Sequence, residues 1–180
     1  KEDMDILVFQ ELALTGYTCA DLFLHSNLRK KTEAAVNKIL EGTKDIDTLL
    51  VVGMPLYTEG ELYNCAAFIF RGKLLGLVPK IYIPNYNEFY ERRHFVPAPA
   101  ENETFFFDGV SIPFGTKLLF RSRQNNNLCM AVEICEDLWA PLPPSVGHAM
   151  AGAVLIANLS ASDETIGKAE YRRSLVEGQS

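Results

Sequence analysis

Short apolar runs broken by turn residues, rather than long amphipathic stretches, dominate this chain. Met4 to Phe9 is a compact apolar segment that passes into Gln10-Glu11, and it predicts a buried strand whose exit presents a carboxylate. Leu28, Ala35, Val36, Ile39 and Leu40 then recur at helical spacing, so an amphipathic helix is expected over Ser26 to Leu40 with Gly42 as its stop. Thr48 to Met54 predicts a second buried strand, ended by Pro55. Cys65 to Phe70 and Lys73 to Val78 flank Arg71-Gly72, the pattern of a tight hairpin.

From Pro79 to Pro113 the periodicity fails. Pro, Asn, Tyr, Phe and Glu crowd this region, which predicts a long functional loop with one short strand at Thr104 to Phe107. Strands are expected again at Lys117 to Arg121 and Leu128 to Ile134, separated by a polar turn at Gln124-Asn125-Asn126-Asn127. A helix near Ser145 to Ala151, a strand at Ala153 to Leu159 and a helix at Ile166 to Val176 complete a mixed α/β order. No repeat, low-complexity tract or linker divides residues 1–180, so one domain is the reading.

Composition narrows the function classes. A 48% hydrophobic fraction excludes a disordered chain, and a net charge of -6 with scattered Lys and Arg argues against nucleic acid as a partner. The longest apolar runs fall well short of the roughly 20 residues of a membrane span. Lys1 to Asp5 carries charges where an export signal would be apolar, so a cytoplasmic location is the default expectation. Cys19, Cys65, Cys129 and Cys135 lie far apart, a spacing that favours neither a zinc site nor a disulfide framework. No metal ligand is assigned.

One of these thiols stands out by position. Cys135 closes an apolar strand, where a sharp turn can expose sulfur beside backbone N–H groups, as acyl transfer requires. Taken alone it reads more readily as an inert buried cysteine. His25, His94 and His148 offer no persuasive base, which shifts attention to carboxylates. Glu11 leaves an apolar strand and Lys80 follows Leu77-Val78-Pro79, so a base, a cation and a thiol all fall at or just beyond strand ends.

The order Glu, Lys, Cys in these settings resembles the nitrilase superfamily of carbon–nitrogen hydrolases. That resemblance implies a four-layer αββα sandwich. Three blocks narrow it to the amidase domain of the glutamine-dependent NAD synthetase family. They are Glu11-Leu12-Ala13-Leu14-Thr15-Gly16-Tyr17-Thr18-Cys19-Ala20-Asp21-Leu22-Phe23, Pro79-Lys80-Ile81-Tyr82-Ile83-Pro84-Asn85-Tyr86-Asn87-Glu88-Phe89-Tyr90-Glu91-Arg92-Arg93, and Cys135-Glu136-Asp137-Leu138-Trp139-Ala140-Pro141. A fourth, Asn158-Leu159-Ser160-Ala161-Ser162 through Ile166-Gly167-Lys168-Ala169-Glu170, is similar to the family's glutamine-holding segment.

What the resemblance implies is specific. Cys135 is the nucleophile, Glu11 the proton-transfer group and Lys80 the oxyanion partner, while Glu88 corresponds to an additional glutamate that holds Lys80 or the substrate amide. Tyr86, Glu136, Ser162 and Lys168 contact substrate, Lys168 standing where the family often has Arg and therefore lacking its bidentate fork. Gln10 departs from the proline the family usually places before the base. The implied reaction is glutamine to glutamate and ammonia through a Cys135 thioester. The ammonia would serve ATP-dependent conversion of deamido-NAD to NAD by a synthetase domain outside this chain. ATP and magnesium would belong there, no cofactor is needed here, and a homo-oligomer is implied. The same resemblance expects a strand and helix before Lys1 and further strands after Ser180, making the chain truncated at both ends. A free-standing amidase or carbamoylase acting on another small amide, and a non-catalytic binding or assembly module, are the alternatives.

Overall fold

The computed structural model describes residues 4–180; the first charges of the expected leaderless start, Lys1 to Asp3, lie outside the described residues. Two sheets face each other. The larger has six strands in the order β1 (Ile6–Val8), β2 (Leu49–Thr58), β3 (Glu61–Phe70), β4 (Lys73–Pro79), β6 (Val110–Phe114) and β5 (Glu103–Phe107). The smaller holds β7 (Phe120–Arg121), β8 (Cys129–Ile134) and β9 (Leu155–Leu159), with β8 and β9 parallel.

Alternation along each strand sends alternate side chains to the two faces of its sheet. On one face of the large sheet Leu50, Val52 and Met54 meet Val36, Ile39 and Leu40 of helix α1 (Ser26–Gly42). On the other face Val51, Ala66, Phe68 and Val78 pack against Met130, Val132, Ile134 and Leu159 of the small sheet. Phe68 is fully buried and stacks on Phe120 with ring centres 3.6 Å apart; burying such a ring is worth about 1.5–3 kcal/mol. Helix α2 (Pro144–Met150) packs on β8 on the far side of the small sheet, and the largely exposed helix α3 (Lys168–Gln179) is joined to it by the Ser145 hydroxyl donating to Gln179 Oε1 at 2.9 Å. The layers therefore run α, β, β, α as expected. No helix among the described residues is long and apolar enough to cross a membrane.

Several expected boundaries move, each for a physical reason. Pro55 does not end β2, which runs on to Thr58. The carbonyls of Val51 and Gly53 point toward the β1 side, where they accept the N–H groups of Phe9 and Leu14. Pro55 shares that orientation, and β1 pairs only with Leu49 to Val51, so its missing N–H breaks no strand ladder. β2 then turns into β3 through Glu59-Gly60, both at positive φ. The loop expected after Pro79 contains not one short strand but a hairpin, β5 and β6, joined by Asp108-Gly109 at φ 46° and 75°, the backbone of a type I′ turn. Arg71-Gly72 makes the equivalent turn where it was expected. The strand expected from Lys117 shrinks to Phe120–Arg121, because the Asn102 side chain satisfies both the N–H and the carbonyl of Lys117 at 3.1 Å.

Candidate active site

Strand ends from both sheets converge at one edge of the sandwich. Beyond β1 the segment Gln10 to Leu12 crosses closely over β2 at Gly53, where a Cβ would overlap the Gln10 carbonyl and the Leu12 N–H. Only glycine leaves that space, and it lets Glu11 sink to 1% exposure. Lys80 follows β4 directly, its N–H bonded to the Asn64 carbonyl at 2.8 Å, and its side chain is fully buried. Glu11 Oε1 lies 2.7 Å from Lys80 Nζ. A second carboxylate, Glu91, lies at the same distance from that ammonium and also accepts the Tyr17 hydroxyl at 2.7 Å.

The predicted additional glutamate is therefore misassigned by sequence. Glu88 is exposed and lines the adjoining pocket, whereas the carboxylate against Lys80 is Glu91. Glu91 opens the 3-10 turn Glu91–Arg93, which folds its side chain back beneath the loop, while Glu88 lies on the solvent side. An acid eight positions after Lys80 and one eleven after it look alike in sequence; only the turn distinguishes them.

Cys135 directly follows β8 with φ at +46°, unusual for a residue with a side chain, and begins the 3-10 turn Cys135–Leu138. That sharp reversal is held by Asp137. Its Oδ2 accepts the Ile134 N–H at 2.9 Å, and its Oδ1 accepts the N–H groups of Ile81 and Tyr82 at 3.2 and 2.9 Å. One buried carboxylate thus ties the residues beside Lys80 to the residue before Cys135. The Ser160 hydroxyl donates to Cys135 Sγ at 3.3 Å, and the Ala161 N–H donates to Glu11 Oε2 at 3.0 Å, so the segment after β9 touches both thiol and carboxylate.

Electrostatics follow from two acids around one base in a dry site. Burial pushes the Cys135 thiol up to about 12, Glu11 adds to that push, and Lys80 and the Ser160 hydrogen bond oppose it. Burial pulls the Lys80 ammonium down, yet Glu11 and Glu91 together outweigh it and hold Lys80 above its ordinary value. Burial also raises Glu91 against the pull of Lys80. Glu11, Lys80 and Glu91 are thus all close enough for their charges to act on the sulfur.

Above Cys135 opens a cavity of about 420 Å³, lined among others by Tyr86, Glu136, Trp139, Ser162 and Lys168. The Tyr86 hydroxyl donates to Glu136 at 2.9 and 3.0 Å. Lys168 is paired with Asp163, and its ammonium stands 5.5 and 5.6 Å from the Phe89 and Trp139 ring centres. Every residue predicted to contact substrate therefore faces one cavity. The histidines set aside by sequence have other partners: His94 meets Asp21 at 3.1 Å and His148 meets the Thr116 carbonyl at 2.8 Å. Sequence reasoning did not assign roles to Tyr17, Asn64, Glu91, Asp137 or Ser160. A polar residue inside the apolar strand Tyr63-Asn64-Cys65-Ala66-Ala67 was the one legible signal among them.

Two facing sheets between helices, with a buried carboxylate, an ammonium and a thiol brought to their shared edge, define an αββα sandwich carrying the side chains that amide hydrolysis would use. Residues 1–177 match the carbon-nitrogen hydrolase family model, and the chain belongs to that family. It is 44% identical over 175 residues to the glutamine-dependent NAD(+) synthetase of Mycobacterium tuberculosis, covering 97% of this chain and 26% of that protein. The Aquifex aeolicus enzyme of the same name is 34% identical over 178 residues, 99% of this chain and 28% of its own length. Among solved structures, a glutamine-dependent NAD(+) synthetase from Cytophaga hutchinsonii superposes with TM-score 0.83 at 32% identity, over 98% of this chain and 28% of that one. A nitrilase-superfamily amidase from Nesterenkonia shares the fold at TM-score 0.70 and 17% identity, over 97% of this chain and 58% of that one. The chain spans about a quarter of the length of these curated relatives.

Proposed function

We propose that residues 1–180 form the glutamine-amidase unit of a glutamine-dependent NAD synthetase, releasing glutamate and ammonia. The observation that carries this reading is that Cys135 lies at the floor of a cavity whose wall holds Ser162 and Lys168, with the Glu11–Lys80 pair behind it. A hydroxyl and an ammonium suit the α-carboxylate of an amino acid, and the Glu136 carboxylate suits its α-ammonium. Lys168 is paired with Asp163, so a substrate carboxylate would compete with Asp163 for that cation.

In the first half-reaction Cys135 Sγ attacks the side-chain carbonyl carbon as its proton passes to Glu11. Lys80 Nζ and the Glu136 N–H, at the unpaired start of the 3-10 turn, receive the developing oxyanion. Glu11 returns the proton to the departing nitrogen; the C–N bond breaks and a γ-glutamyl thioester remains. Glu11 next takes a proton from water, the hydroxide forms the new C–O bond, and the C–S bond breaks as Glu11 returns that proton to Cys135 Sγ. Glu91 rather than Glu88 keeps Lys80 in place throughout; Glu88 shapes the cavity wall. Ammonia would pass to a synthetase part of the protein, where ATP and magnesium act, and no residue of this chain is assigned to them. A cytoplasmic homo-oligomer is the setting this reading implies.

The test uses the full-length protein and a glutamine-derived electrophile. Cys135 should be labelled, free glutamine should protect it, and Cys135→Ala should lose both labelling and glutamate release by about a thousandfold or more. Glutamate release that survives Cys135→Ala would overturn the proposal.

A further inference from the structure

Asn64 lines neither the cavity nor the sulfur, yet its side chain lies between the two buried carboxylates. Its Nδ2 donates to Glu11 Oε1 at 2.7 Å and to Glu91 Oε2 at 3.4 Å, and the residue is 1% exposed. Among the described residues its Oδ1 is buried without a partner. A fold seldom tolerates an unpartnered amide oxygen in its core, so the orientation must be dictated by the amide's other end. Two carboxylates supply acceptors and no donor on that side, which forces the NH2 group toward them.

The consequence lies in the division of labour between the oxygens of Glu11. Among the described residues Oε1 already receives Lys80 Nζ and Asn64 Nδ2, whereas Oε2 receives only the Ala161 N–H at 3.0 Å. Oε2 therefore keeps a lone pair on the side of the segment that also carries Ser160 to the sulfur. Resting on the amidase reading above, we propose that Asn64 is a positioning residue that fixes Glu11 Oε1, presents Oε2 as the oxygen that accepts and returns the proton, and stabilises two neighbouring carboxylates with one neutral group. The charged and titratable groups around Glu11 are Lys80 just after β4, Glu91 in its 3-10 turn, Tyr17 in the loop that follows Glu11 itself, and Cys135 just after β8. None of them is a neutral donor to both acids.

The experiment measures kcat/KM against pH for Asn64→Ser and Asn64→Asp in the full-length protein. Activities are normalised to the fraction of Cys135 that can be labelled. Losing a hydrogen bond to the ionised form moves the acid limb upward by about one pH unit in Asn64→Ser, with kcat lowered about 10- to 100-fold and KM within about twofold. Asn64→Asp keeps the shape and adds a third acid, so its acid limb moves further; should that charge unfold the chain, the neutral Asn64→Ser variant carries the test. A merely structural role would lower the labelled fraction and leave the acid limb in place, and that result overturns the proposal. Running the series with glutamine and with a simple aliphatic amide separates the two readings: an enzyme that refuses glutamine but cleaves the simple amide still reports on Asn64.

Discussion

Replacing Asp137 with Asn changes one atom in the link between the two strand ends that carry Lys80 and Cys135. Oδ1 keeps its bonds from Ile81 and Tyr82, but an NH2 group now confronts the Ile134 N–H where Oδ2 stood. One hydrogen bond is lost and one buried N–H is left unpaired, a cost of about 2–4 kcal/mol. Asp137→Ala orphans all three N–H groups and should cost about 4–6 kcal/mol, a large share of the roughly 5–15 kcal/mol that holds a domain together. The pH dependence adds a second signature. Burial pushes Asp137 up to about 7, against the downward pull of the Tyr82 and Ile134 N–H groups. A folded value above the ordinary carboxyl value means that this group's contribution is fully present below about pH 4 and is lost as pH rises through about 7. Asn does not titrate. Urea unfolding should therefore show wild type ahead of Asp137→Asn by the larger margin at pH 6, with the gap narrowing by about 1 kcal/mol at pH 8. Equal stabilities at pH 6, or a gap that widens toward pH 8, would refute the reasoning.

Two further substitutions probe the site from other directions. Glu91→Gln removes one of the two carboxylates on the buried Lys80 while keeping an acceptor for Tyr17, and kcat for glutamate release should fall by about a hundredfold, whereas Glu88→Gln should alter mainly KM, by a few fold; steady-state kinetics giving the reverse ranking would restore Glu88 to the position inferred from sequence. Gly53→Ala places a methyl group against Gln10 and Leu12, so thermal unfolding should show a loss of about 2–4 kcal/mol, accompanied by slower labelling of Cys135. An unchanged melting curve would mean that the Glu11 segment shifts freely.

The sequence disclosed elements wherever local chemistry decided them. Apolar runs marked most of the strands, helical spacing found α1, and Arg71-Gly72 announced its turn. What escaped was non-local. Pro55 reads as a terminator until the orientation of its nitrogen away from β3 is known, and the Lys117 strand fails because a side chain from Asn102, fifteen residues earlier, replaces the ladder. Asp108-Gly109 was a missed local signal, masked by the polar residues around it. The same division holds for the site. Glu11, Lys80 and Cys135 are visible as polar groups at strand exits, but Asp137 and Glu91 take their meaning from tight turns that fold their carboxylates inward.

Charge explains why these pieces form one device and not several. Glu11 and Glu91 surround a single Lys80, so the buried cluster carries one negative charge in excess when both acids are ionised. That excess opposes any further anion nearby, and burial and the two acids together lift the Cys135 thiol to about 12 while Tyr17 is driven above its ordinary range. A thiolate formed in advance is therefore disfavoured, and in the proposed reaction the proton would leave sulfur as the C–S bond forms, when negative charge moves onto the substrate oxygen near Lys80. Ser160 works in the opposite sense, since its hydroxyl bond to the sulfur favours the anion at the place where attack would begin. The resting site is thus poised against ionisation without an acceptor in place. In the proposed reaction the reactive form would arise with a carbonyl carbon within reach.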